Sequence, residues 1–133
     1  MPSSLQSVFV VEDSEMERSM LSEHLEKIPG VKVKTFSNGS ACLRDIIMEN
    51  VQEPDLILMD YFMDSAQGSN RDGLEILEKL VEFSPELKVI MFTSVGNEKM
   101  IALAKSKGAL DYVVKSSAGF EDLDKTLKKH FGV

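Results

Sequence analysis

Glu12, Asp13, Asp60, Thr93 and Lys115 are the residues on which chemistry could rest. Each closes a short apolar run: Val8-Phe9-Val10-Val11 runs into Glu12-Asp13, Leu56-Ile57-Leu58-Met59 into Asp60, Val89-Ile90-Met91-Phe92 into Thr93, and Tyr112-Val113-Val114 into Lys115. Such runs, without polar alternation, read as strands covered on both faces of a parallel sheet. In open parallel sheets, ligands bind beyond the carboxyl ends of the strands. Three carboxylates, a hydroxyl and an amine should therefore converge on one rim. Like charges at close range raise one another's pKa unless a cation intervenes. Mg²⁺ is held by one or two carboxylates together with waters and phosphate oxygens. With Lys115 and Thr93 added, the set forms a cage for the oxygens of a phosphoryl group in transfer, and the carboxylate inside the cage is its acceptor.

The elements that must position these residues alternate strand and helix five times, the pattern of a βα repeat. The first strand is expected over about residues 7–12, followed by a helix capped by Ser14 with Glu17 as its capping-box partner. That helix carries Met20, Leu21, Leu25 and Ile28 at helical spacing and stops at Pro29-Gly30. The second strand, 31–36, alternates Val31, Lys32, Val33, Lys34 and so should be an edge with one wet face. A second helix opens at Asn38-Gly39-Ser40 and runs to about Asn50. The third strand, 55–60, leads into a long polar loop from Asp64 to Asp72. Asp72 with Glu75 then reads as a capping pair for a third helix that ends at Ser84-Pro85. The remaining elements are a strand over 88–93, a helix from Asn97 to Lys107 with Gly108 as its C′ residue, a short strand over 110–114, and a helix after Ser117 bearing Leu123, Leu127 and Phe131. The fully apolar strands should be central, and right-handed crossovers then leave the order 2-1-3-4-5. The fold class is α/β, a flavodoxin-like doubly wound parallel sheet of five strands with five helices, expected as one domain over residues 1–133.

At this point the sequence resembles the receiver domain of bacterial response regulators, in particular single-domain receivers of the chemotaxis type, across nearly its whole length. The acidic pair Glu12-Asp13, Asp60, Thr93 and Lys115 occupy the family's five marker positions in order, and Tyr112 falls on its aromatic switch position. The resemblance implies that Asp60 accepts a phosphoryl group from a phosphohistidine on a sensor histidine kinase or phosphotransfer protein. It implies Mg²⁺ held by Glu12, Asp13, Asp60 and the backbone carbonyl of Phe62. Thr93 and Tyr112 would then move inward and remodel the face formed by the fourth helix, fifth strand and fifth helix, for a downstream target protein or an effector domain. Such a protein is a signalling phosphoacceptor rather than an enzyme, catalysing only its own phosphorylation and dephosphorylation. Two departures concern loops. Ser116 stands where the family usually has proline, so the Lys115-Ser116 bond is expected to be trans. Asp64 replaces a usual proline, and Gly73 comes about five residues late, so the segment 64–72 is expected to be a flap beside the site.

Other readings have weaker support in the residues. A haloacid-dehalogenase-like phosphatase also uses an aspartyl nucleophile and Mg²⁺, but wants a second Asp two positions on, where this chain has Phe62. A flavodoxin needs a Ser/Thr/Gly-rich phosphate loop after the first strand, where this chain has Glu12-Asp13-Ser14-Glu15. A receiver-like scaffold that never takes phosphate would not need all five markers. The net charge of −7 argues against binding to nucleic acid or anionic membrane. The first residues, Met-Pro-Ser-Ser-Leu-Gln, have neither the basic nor the apolar region of a secretion signal. Cys42 is the only cysteine, so no internal disulfide can form and the cytoplasm is the expected compartment. Cys42, His24 and His130 read as structural rather than chemical, and the eight methionines mostly as core filler.

Overall fold

The structure, a computed structural model, describes residues 5–48, 52–60, 73–117 and 119–133. Five strands, β1 (Ser7–Val11), β2 (Lys32–Phe36), β3 (Leu56–Met59), β4 (Val89–Thr93) and β5 (Asp111–Val114), form one sheet. All pairings are parallel and the order is β2-β1-β3-β4-β5, as the apolar runs require. Five helices complete the fold: α1 (Glu15–Glu26), α2 (Gly39–Met48), α3 (Gly73–Phe83), α4 (Glu98–Ser106) and α5 (Glu121–Phe131).

Period-2 alternation splits the central strands between two cores. Val8 and Val10 of β1, Leu56 and Leu58 of β3, and Ile90 and Phe92 of β4 pack with Leu21 and Leu25 of α1 and Leu123, Leu127 and Phe131 of α5. The intervening Phe9, Val11, Ile57, Met59, Val89 and Met91 pack with α2, α3 and Ala104 of α4. β2 is the wet edge that its alternation predicts, with Lys32 and Lys34 exposed and Val33 partly buried.

Local signals end the elements. α4 closes in a Schellman motif: Gly108 N–H donates to Lys105 and Ala109 N–H to Ala104. Gly108 sits at φ +110°, and a Cβ there would lie 3.0 Å from both methyls of Val81, so backbone and space both call for glycine. Asn38 and Asn97 each accept a main-chain N–H three residues on. Three expectations shift. α1 ends at Glu26 rather than at Pro29, because Lys27 and Ile28 take tighter bonds to His24 and Leu25. α5 begins at Glu121, later than the residue after Ser117, because a bridge between Ser116 and Gly119 turns the chain first. β3 is two residues shorter than expected, one at each end: Asp55 and Asp60 each still donate a backbone N–H to β1, and the Asp55 carboxylate also accepts the N–H groups of Gln6 and Ser7 at 2.8 and 3.0 Å. The Asp72–Glu75 cap, the flap 64–72 and the end of the second helix beyond Met48 lie outside the described residues.

β5, the other edge, begins with Asp111. Its carboxylate accepts from His130 of α5 at 2.8 Å and lies 3.9 Å from Lys105 of α4. Burial alone would raise the Asp111 carboxyl, but the bonds from His130 and the Tyr112 N–H, with Lys105 nearby, hold it below its ordinary 3.8. An acid whose folded pKa is depressed contributes stability at pH values above its unfolded pKa and loses it as pH falls through the folded value. Asp111→Asn should therefore flatten the loss of stability below about pH 4. Urea melts of both proteins at pH 2.5–5 test this; parallel curves would remove Asp111 from the acid response.

Candidate functional site

The register brings the predicted rim together. Val11 pairs with Met59 and Thr93 with Val114, so the residues after β1, β3 and β5 emerge side by side from one sheet edge. Backbone bonds hold them there: Asp60 N–H donates to Val11 and Lys115 N–H to Thr93. Glu12 and Asp60 are buried, whereas Asp13 is exposed. One carboxylate oxygen from each of Glu12, Asp13 and Asp60 lies within 4.8 Å of the others.

Lys115 is the cation of this cluster. Its ammonium donates to Glu12 at 2.5 Å, to Asp60 at 3.0 Å and to Glu17 at 3.3 Å. It also lies 5.6 Å from the centre of the Phe92 ring, within cation–π range. Burial pushes the Glu12 carboxyl up from 4.5 to about 8; Asp13 and Asp60 push the same way and Lys115 pulls against them. Burial pulls the Lys115 ammonium down, but Glu12 and Asp60 outweigh it and hold it above the ordinary lysine value. Lys115 is thus the fixed charge of the cluster.

Thr93 is fully buried at the end of β4, and its hydroxyl accepts the N–H of Val95 at 3.4 Å. Tyr112 stands one step out on β5, and its hydroxyl donates to the carbonyl of Val95. Both proposed switch residues therefore engage Val95, on the loop between β4 and α4. The backbone carbonyl of Phe62 lies outside the described residues. No cis peptide occurs among the described residues, so Lys115-Ser116 is trans as expected.

Sequence reasoning missed two participants. Arg18 donates to the backbone carbonyls of Glu12 at 2.8 Å and Asp13 at 3.1 Å, pinning the turn that carries both acids. Glu17 was assigned to the capping box, and half of that assignment holds: its N–H donates to the Ser14 hydroxyl at 3.3 Å. The reciprocal bond is absent from the bonds the structure describes, since Ser14 N–H donates to Glu12 at 3.2 Å while the Glu17 carboxylate reaches Lys115. A charge-assisted bond to an ammonium outcompetes one to a neutral amide. The readings of Cys42 and His24 fit the structure, whereas the methionines are not mostly core: Met59 and Met91 are buried, but Met16, Met20 and Met48 are exposed, because they fall on the outer faces of α1 and α2. Cys42 is buried, and burial with nearby Asp45 pushes its thiol up to about 12, which keeps it unreactive. His24 stacks on Phe120 and bonds Asp124 at 2.7 Å, tying α1 to α5.

The chemistry of the donor set fits a small hard dication: hard carboxylate oxygens, close together, beside one lysine. Among the described residues, no helix is long and apolar enough to cross a membrane.

Comparison with known proteins agrees with this arrangement. Residues 8–128 match the family model described as the response regulator receiver domain. The response regulator protein VraR of Staphylococcus epidermidis is 30% identical over 125 residues, covering 94% of this chain and 56% of that protein. The chain thus spans little more than half the length of that relative. The chemotaxis protein CheY of Halobacterium salinarum is 32% identical over 108 residues, covering 81% of this chain and 82% of that one. Among solved structures, the response regulator protein TrrA of Thermotoga maritima, in complex with Mg²⁺-BeF, superimposes with a TM-score of 0.77 at 26% identity, covering 94% of this chain and 98% of that chain.

Proposed function

This chain belongs to the response regulator receiver domain family, and on that premise we propose that Asp60 accepts a phosphoryl group in a Mg²⁺-dependent reaction. The observation that carries the proposal is the position of Asp60: buried, 3.0 Å from Lys115 and clustered with Glu12 and Asp13. The donor is a phosphohistidine on a sensor histidine kinase or a phosphotransfer protein. An Asp60 carboxylate oxygen bonds to phosphorus as the phosphorus–nitrogen bond breaks, and the electron pair of that bond leaves with the imidazole. Lys115 stabilises the negative charge that collects on the transferring group. Asp13 and Asp60, with Glu12 directly or through water, would hold the cation, and the resemblance adds the Phe62 carbonyl. When bound, Mg²⁺ neutralises charge on the phosphoryl oxygens.

Thr93 supplies a buried hydroxyl at the same rim. Its shared contact with Tyr112 through Val95 is the route by which a change at Asp60 would reach the α4–β5–α5 face. That face would present the signal to a target protein or a further domain. The reading places the protein in the cytoplasm, acting on protein partners and not on nucleic acid or membrane, as a phosphoacceptor rather than a turnover enzyme.

Intact-mass spectrometry after incubation with acetyl phosphate and Mg²⁺ tests the proposal. One added phosphoryl group is expected, lost when a chelator replaces the cation. Asp13→Ala should need a higher Mg²⁺ concentration for the same labelling. A protein that stays unlabelled at saturating donor and cation would be a phosphorylation-independent scaffold instead.

A further inference from the structure

Lys115 carries more carboxylates than the rim alone supplies. Glu12 and Asp60 follow strands, but Glu17 comes from the first turn of α1 and reaches across to the end of β5. Its side chain is 48% exposed, against 4% for Glu12 and 11% for Asp60. It lines a cleft of about 170 Å³ together with Met20, Phe92, Lys115 and Phe120. The Ser14 cap uses the Glu17 backbone N–H, which leaves the carboxylate in the first turn of α1 beside Lys115. Arg18, the neighbouring cation, donates to the carbonyls of Glu12 and Asp13.

We propose that Glu17 is a positioning residue that restrains phosphorylation: it occupies part of the Lys115 ammonium and adds negative charge beside the cation that an anionic phosphodonor must meet. The inference rests on the phosphoacceptor reading above. In the reaction with acetyl phosphate, the phosphorus–oxygen bond to the acetyl group breaks, a bond from phosphorus to an Asp60 oxygen forms, and acetate leaves with the electron pair. The donor's phosphoryl oxygens are negative throughout and compete with Glu17 for the same ammonium. A half-exposed charge acts through a high effective dielectric, so its repulsion is moderate and sensitive to salt.

Glu17→Gln in the full chain tests this, with initial labelling rates measured across acetyl phosphate concentrations at saturating Mg²⁺. The variant should label about three- to tenfold faster at low ionic strength, chiefly through a lower KM for the donor. The advantage should shrink toward unity at about 0.5 M salt, where the Debye length is only a few ångströms. Its thermal melting should fall only slightly, by the loss of one half-exposed charge in the first turn of α1. A role confined to helix structure would not produce a salt-dependent KM. Equal or slower labelling by the variant, or a gain that salt leaves untouched, overturns the inference while leaving the acceptor reading intact. Absence of label on the parent overturns both.

Discussion

Lys115→Met is expected to take phosphoryl groups about 10²–10³-fold more slowly than the parent, the usual cost of deleting one preorganised electrostatic group. In the folded protein Glu12, Asp60 and Glu17 all converge on this ammonium. Without it, negative oxygens face one another and the incoming phosphoryl group meets no fixed cation. Methionine keeps an unbranched apolar stem one atom shorter, so the change removes the ammonium, with its contact to the Phe92 ring, more than it removes bulk. The more negative site should also bind a proton more tightly at Glu12, since the Lys115 bond that pulls its carboxyl down is gone. Initial rates with acetyl phosphate, read by intact mass, measure the loss. A rate within about threefold of the parent would show that Lys115 does not stabilise the transfer.

Ile57→Ala is expected to destabilise the fold by about 2–5 kcal/mol, the range for removing a buried branched side chain. β3 lies between β1 and β4, and Ile57 has no exposed surface. The cavity would open among Phe9, Leu77 and Leu80 in the core on the α2–α3 side. Asp60 depends on that strand for its position, so the loss should carry to the site. Met48→Ala on α2, where the side chain is 73% exposed, should change stability by no more than about 0.5 kcal/mol. Urea titration separates the two through the transition midpoint. Similar midpoints for both variants would contradict the packing described here.

How much of this was legible in the residues follows from range. Strand order could be read because Val8–Val11 and Leu56–Met59 are uninterrupted while Val31–Lys34 alternates, and burial on two faces or one writes itself directly into that pattern. The rim residues could be read because each ends or directly follows its strand, so the sheet alone brings Glu12, Asp60, Thr93 and Lys115 to one edge. Arg18 and Glu17 could not. Both sit on α1, and their roles depend on where the helix lies against the ends of β1 and β5, which no local spacing encodes. Glu17 was also masked by a valid local signal, since Ser14 does cap the helix through its N–H. Asp55 escaped notice for the same reason: its partners, Gln6 and Ser7, are far away in sequence and are reached only once β1 and β3 pair. The late start of α5 reflects the turn at Ser116–Gly119, where Gly119 takes φ +71°.

The central claim is that Asp60, and no other side chain, receives the phosphoryl group. Borohydride reduction of the labelled protein, followed by tandem mass spectrometry, tests it most directly, because an aspartyl phosphate is reduced to homoserine at the modified position. The account predicts homoserine at position 60 alone, and none anywhere in Asp60→Asn treated in the same way. Reduction at Asp13, or label of equal extent on Asp60→Asn, would contradict it.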